Sequence, residues 1–239
     1  MQKANTYNIP RKNCKDLWNS FMVKNTFMEN LDIPRFTGSS TIPSKLISYA
    51  EAKTIYNKMI INDKNFHFDA FVHFFIDDQV FDGKRNSIWT YPNIALNIIK
   101  HFSGIIAPDF STYVDFPYPI NIFNLYRSRA FGFWLTKQNI EVIHNVRWGY
   151  KDTWKYCFNG IPKGSTVCIG TVASGLRKCN NRSLFENGFL QMLHTIQPKT
   201  IIIYGSSNYK VFDKAKQQGI NIITFESQTN QVLSKRRTQ

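Results

Sequence analysis

From residue 68 onward the chain repeats one pattern: a short apolar run, a polar turn, then a longer segment with apolar positions at helical spacing. The runs at 70–76, 104–107, 142–146, 167–171, 200–204 and 221–225 are dominated by β-branched and aromatic residues and bounded by turn signals, so they read as buried strands. Helix-like segments lie between them at 92–101, 122–137, 153–158, 184–196 and 209–218. The last unit, IIIYGSSNYKVFDKAKQQGINIITF, is the clearest. It has a strand, a Gly-Ser-Ser turn, an amphipathic helix stopped by Gly219, and a second strand. Strands alternating with helices imply βαβ units and a mostly parallel α/β sheet of about six strands. Every strand runs out into polar residues, which favours a TIM-like or partial barrel over an open doubly wound sheet.

Residues 1–65 follow another pattern. Pro10, Pro34 and Pro43 interrupt them, and only 44–60, with Ser44 as N-cap, reads as a firm helix. They are expected to form an arm or capping subdomain ahead of an α/β core at 66–230, with a loose basic tail at 231–239. No run approaches the roughly 18 apolar residues of a membrane helix, and the first residues lack a signal-peptide core. A soluble, cytoplasmic chain with no membrane partner is expected. Cys14, Cys157, Cys168 and Cys179 match no zinc spacing and read as buried or idle thiols.

Charge changes this picture. The chain carries 30 Lys and Arg against 16 Asp and Glu, a formal +14. The distribution is uneven: +5 over residues 1–65, −1 over 66–145 and +10 over 146–239. Clustered cations gain by displacing condensed counterions, so nucleic acid is the expected partner. The competing explanation is an A/T-rich genome that enriches Lys, Asn and Ile, although Arg147, Arg177, Arg182, Arg236 and Arg237 exceed what such a bias favours.

Ligands of parallel α/β proteins sit outside the carboxyl ends of the strands. There the sequence offers Asp77 and Asp78, Asp109, Asn145 and Arg147, Thr171 and Ser174, 204–206, and Glu226. Asp109 and Asp115 are the candidate catalytic acids, with His144 as the histidine worth testing. Asp78 and Asp109 are the candidate ligands for a divalent metal such as Mg²⁺, a usual arrangement for chemistry at phosphorus. Arg147 beside Trp148 suits a phosphate, a carboxylate or a stacked base. Alternatively, Trp148 closes the end of the core while Arg147 snorkels past it. The loop with Ser174, Gly175, Arg177, Lys178 and Arg182 can cradle phosphate, although it is neither a P-loop nor a dinucleotide turn. Arg127 and Arg129 lie two apart on a helix and cannot form one clamp, so a structural ion pair is their expected use. The absence of a GxSxG elbow disfavours a hydrolase triad.

Asp109, Tyr126, Arg127, Gly132, Val146, Trp148-Gly149, the run FNGIPKGSTVCIG and the run QPKTIIIYG resemble an uncharacterised domain-of-unknown-function family of bacteria, phages and mobile elements, over about residues 68–206. The resemblance places Lys163 in a Gly-Ile-Pro-Lys-Gly landmark and implies a phage or mobile-element setting in a bacterial host cell. It transfers no activity. Three readings stay open: a nucleic-acid-binding protein that processes its ligand at the acidic rim, an enzyme acting on a nucleotide or sugar phosphate, and a non-catalytic module that binds a host or phage protein. Lys163, Arg177, Lys178 and Arg182 are the candidate backbone contacts in the first.

Overall fold

The computed structural model describes residues 3–4, 12–172, 174, 176 and 179–228. Three short strands, β1 (Lys3–Ala4), β2 (Phe27–Met28) and β3 (Pro34–Arg35), pair antiparallel in that order. Seven parallel strands follow: β4 (Leu46–Ser48), β5 (Phe68–His73), β6 (Phe102–Ile106), β7 (Val142–Asn145), β8 (Thr166–Gly170), β9 (Thr200–Tyr204) and β10 (Asn221–Phe225). The helices between them are α1 (Tyr49–Met59), α2 (Asp78–Asp82), α3 (Pro92–Ile99), α4 (Tyr118–Thr136), α5 (Trp154–Cys157), α6 (Cys179–Ile196) and α7 (Val211–Gln217).

Each parallel strand pairs with its neighbours in sequence, from β4 at one edge to β10 at the other. Right-handed crossovers in such an order put all helices on one face. The other face must then bury its apolar residues by curling upon itself, and it does so as a half-barrel. Alternate residues divide accordingly. Ala70, Val72, Ile105, Val142, Val167, Ile169, Ile201 and Ile203 join the large clusters that include the helices, whereas Phe71, Ile106, Ile143, Cys168 and Ile202 form a separate inner cluster. The curl is directly measurable. The rings of His73 and Tyr204, on β5 and β9, are 4.2 Å apart, although strands four places apart in a flat sheet would be separated by about 19 Å. At the open side of the curl, Gln228, past the end of β10, donates from Nε2 to Oγ of Ser48, the last residue of β4, at 3.3 Å.

All six expected strands form, with β4 as a seventh. The helix expected over 44–60 therefore begins later. Ser44 is not its cap: Ser44 Oγ donates to Asp69 at 2.8 Å. Ser48 caps α1 instead, its hydroxyl accepting from Glu51 N at 3.2 Å while Glu51 accepts from Ser48 N at 2.8 Å, a capping box. A three-residue edge strand is too short for its period to separate it from a helical start.

His73 gives this interior a pH dependence. Its ring is 1% exposed, and its Nδ1 accepts from Phe75 N at 3.2 Å. Burial lowers its pKa to about 4, against a weaker opposing pull from Glu51. The unfolded chain, with an ordinary value of about 6.5, binds this proton more readily. Stability from this group is therefore complete above about pH 6.5 and falls by roughly 3 kcal/mol as pH drops toward about 4. Urea midpoints measured across that window are expected to decline, and the slope is expected to flatten in His73→Gln.

Candidate functional site at the carboxyl rim

The strand ends build the site in sequence order. Beyond β5 the chain turns at Asp77, whose side chain caps α2 by accepting from Gln79 N at 2.9 Å. This turn separates the adjacent acids. Asp78 reaches sideways to the segment after β6, where its Oδ1 accepts from Ser111 Oγ at 2.9 Å and its Oδ2 from Ser111 N at 3.0 Å. Burial raises the Asp78 pKa, partly opposed by the Ser111 bonds and reinforced by Asp109 and Asp82.

Asp109 lies between β6 and β7. One oxygen accepts from Asn145 Nδ2 and the other from Arg147 Nη1, both at 2.8 Å. Arg147 is held cationic chiefly by that carboxylate, and its guanidinium stands 5.9 Å from the Tyr113 ring. About a third of its side chain, 33%, is exposed. Its Nε and Nη2 have no hydrogen-bond partner among the described residues, which leaves a fork of donors suited to an oxyanion. Asp78, Asp109, Ser111, Asn145, Arg147 and Ser174 line one groove of about 1130 Å³, with Phe75, Trp148 and Thr171 also in its walls.

Helix α4 braces the rim from behind. Arg127 pairs with Asp82 at 2.6 Å, donates to Asn124 Oδ1 at 2.7 Å, and lies 4.0 Å over the Phe110 ring. Asn124 donates to Ser111 O, and Ser128 Oγ to Pro108 O at 2.7 Å. Arg129, 1% exposed, donates to the carbonyls of Asn159, Asn145 and Cys157. Arg127 thus forms an ion pair with Asp82, not with Asp115, the acid expected to pair with one of these two arginines, while Arg129 ties backbone segments together. Asn121, Asn124 and Ser128 were not singled out by sequence reasoning. Their signal is a polar stripe at i, i+3 and i+7 within a helix rich in apolar residues.

The remaining candidates are distributed as follows. Trp148 lines the groove but is anchored to α6: its Nε1 donates to Phe185 O at 3.1 Å, and its ring packs 4.9 Å from Phe185. Its ring packs against the core cluster that contains Phe158, Phe185 and Phe189. A Cβ at Gly188 would collide with Trp148 Cδ1 and Nε1. Gly188→Ala is therefore expected to cost about 1–3 kcal/mol and to shift tryptophan emission to the red, measurable together by chemical denaturation followed by fluorescence.

Ser174 lines the groove and donates to Thr171 O at 2.8 Å. His144 does not line it: the ring is buried at 0% exposure, 4.2 Å from Phe36, with Nε2 3.2 Å from Phe36 O. Burial, then Arg129, hold its pKa well below the ordinary value. Asp115 is exposed and makes no hydrogen bond or ion pair among the described residues. Lys163 is exposed just before β8, at the amino-terminal end of the strand and opposite the rim. Arg182 is exposed, and its Nε donates to Leu176 O at 3.2 Å. Gly175, Arg177, Lys178 and the tail at 231–239 lie outside the described residues.

Among the described residues no three of His, Cys, Asp and Glu gather into a set that could hold a metal ion. Asp109 shares its oxygens with Asn145 and Arg147, and both Asp78 oxygens accept from Ser111. A divalent ion on Asp109 would also face a guanidinium 2.8 Å from that carboxylate, so this donor set fits a resident cation poorly. No described helix is long and apolar enough to cross a membrane.

Comparison with known proteins places this geometry in a family. The model of the family described as domain of unknown function DUF4417 matches residues 25–226, and the chain belongs to that family. The Gene 1 protein of Mycobacterium phage D29 is 34% identical over 139 residues, covering 58% of this chain and 49% of that protein. The Gene 1 protein of Mycobacterium phage L5 is 35% identical over 135 residues, covering 56% of each. The chain thus spans about half the length of these curated relatives. No solved structure matches it.

Proposed function

We infer that this member of the DUF4417 family binds a nucleic-acid strand along the carboxyl-end groove of its half-barrel, in the setting of a phage or mobile element. The observation that carries the reading is Arg147, paired with Asp109, which Asn145 holds in turn, and with two donor nitrogens unspent among the described residues, inside a groove of about 1130 Å³. That groove exceeds the roughly 300–1,000 Å³ of ordinary small-molecule pockets. The chain as a whole carries a formal +14, the sign a polyanion requires. Arg147 takes a backbone phosphate, and Tyr113 offers a ring beside it for stacking. The relatives from Mycobacterium phages support the setting.

Processing of the bound strand is the second part of the reading. Asp78 is the carboxyl placed to exchange a proton, because burial raises its pKa and it lines the same groove as Arg147. Asp109 positions Arg147. Binding of the full chain to short single- and double-stranded DNA and RNA across a salt series, with the nucleic acid inspected afterwards for cleavage, tests both parts. Affinity that falls steeply with salt is the expected result, with cleavage products lost in Asp78→Asn. Absence of binding at low salt would overturn the strand reading.

A further inference from the structure

Ser111, in the connection after β6, is fixed at each of its polar atoms by residues distant in sequence. Its N and Oγ donate to the two oxygens of Asp78 at 3.0 and 2.9 Å, and its carbonyl accepts from Asn124 Nδ2. Asn124 Oδ1 in turn accepts from Arg127, and Arg127 pairs with Asp82. Asp78 and Asp82 are the two ends of α2, so these bonds form a closed circuit around Ser111. The backbone N–H alone would fasten the loop to Asp78. The hydroxyl adds a proton aimed at a carboxylate, in the wall of the groove that also holds Arg147.

Only 9% of Ser111 is exposed, yet it lines that groove, and its Oγ accepts no hydrogen bond among the described residues, so its lone pairs are unspent. A hydroxyl in this state becomes a nucleophile when a base takes its proton, and Asp78 stands within reach to do so. Burial makes Asp78 a stronger base than an ordinary carboxylate, with a partial offset from the Ser111 bonds. Arg147 shares this part of the groove: the Asp78 carboxylate, after that of Asp109, helps to hold it cationic. Its unspent donors suit the charge that grows on phosphate oxygens during a displacement. We propose that Ser111 is a nucleophile toward phosphodiesters, its Oγ attacking a phosphorus whose oxygens Arg147 holds. The substrate rests on the strand reading, whose processing group this names. The bond from Oγ to phosphorus forms as the bond from phosphorus to one sugar oxygen breaks. Asp78 takes the hydroxyl proton, and the departing sugar oxygen takes one from water, leaving hydroxide. Hydroxide then displaces Ser111 from phosphorus, and Oγ recovers its proton from Asp78. The sum is hydrolysis of the diester by one water, with nothing oxidised or reduced.

The decisive measurement needs no variant. The full chain cleaves an oligonucleotide that carries one phosphorothioate of defined configuration, in isotopically labelled water, and the configuration at phosphorus in the product is read. Two successive displacements predict retention, whereas inversion, the result of direct attack by water, would overturn the proposal. Ser111→Ala is expected to lower cleavage by about 10³-fold or more while salt-dependent binding through Arg147 persists; unchanged cleavage would likewise overturn it. Bis(4-nitrophenyl) phosphate, a diester without a strand, separates the two proposals. Strand binding with no cleavage of either substrate overturns the nucleophile and leaves the strand reading. Release of nitrophenol that is lost in Ser111→Ala, with no strand bound at low salt, does the reverse.

Discussion

Arg129→Ala is expected to destabilise the protein by about 3–5 kcal/mol, the range for truncating a large buried side chain and leaving buried acceptors without their donor. Arg129 is 1% exposed, and burial lowers its pKa only to about 10, so it stays cationic at neutral pH. It forms no ion pair among the described residues. Its guanidinium donates instead to Asn145 O at 3.0 Å, Asn159 O at 3.0 Å and Cys157 O at 3.4 Å, joining the end of β7 to the segment around α5. Alanine would leave these carbonyls without that donor and open a void among them. For a chain of this size the loss corresponds to a melting point lower by about 10 °C. Arg129→Lys is expected to recover little, because an ammonium cannot reproduce the planar fork. Urea denaturation of the three proteins measures this directly.

The second large effect concerns the rim and has opposite signs on the two sides of one ion pair. Arg147→Ala is expected to weaken nucleic-acid binding about 10-fold, since a hydrogen bond to a charged group contributes about 1.5–3 kcal/mol. Asp109→Ala removes the negative partner 2.8 Å away and is expected to retain or strengthen salt-sensitive binding. With Arg147 no longer braced, however, processing is expected to be lost. Filter binding and cleavage assays on the two variants check both directions. Parallel losses of binding in both would mean that the ion pair serves the fold rather than the ligand.

The barrel was readable because each inner strand is a β-branched run whose alternate residues face helices and interior, as with Val142 and Ile143. What escaped was β4, where three residues preceding a helix cannot display a period. The rim acids were legible as strand-end residues, and Asp109 with Arg147 and Asn145 meet as adjacent strand ends should. Asp115 was not separable from them by type alone: it sits in the same connection as Asp109, but on its exposed outer part. His144 illustrates the limit of alternation. It neighbours Ile143, which faces the interior, so its ring turns outward to Phe36, a residue far away in sequence. Lys163 looked like a phosphate ligand by charge, yet it precedes β8 and so belongs to the opposite end of the barrel. The polar stripe on α4 was visible in the sequence, but which loops it would satisfy depended on the tertiary fold.

Charge alone can draw this chain to a polyanion, so the central claim is about place. The most direct measurement compares the salt dependence of single-stranded DNA binding for the unaltered chain, Arg147→Ala and Lys163→Ala, variants that each remove one positive charge from opposite ends of the half-barrel. A groove at the carboxyl rim predicts that Arg147→Ala lowers affinity and reduces the slope of log K against log salt by about 1, while Lys163→Ala changes neither. Equal effects from the two variants, or an effect of Lys163→Ala alone, would contradict it.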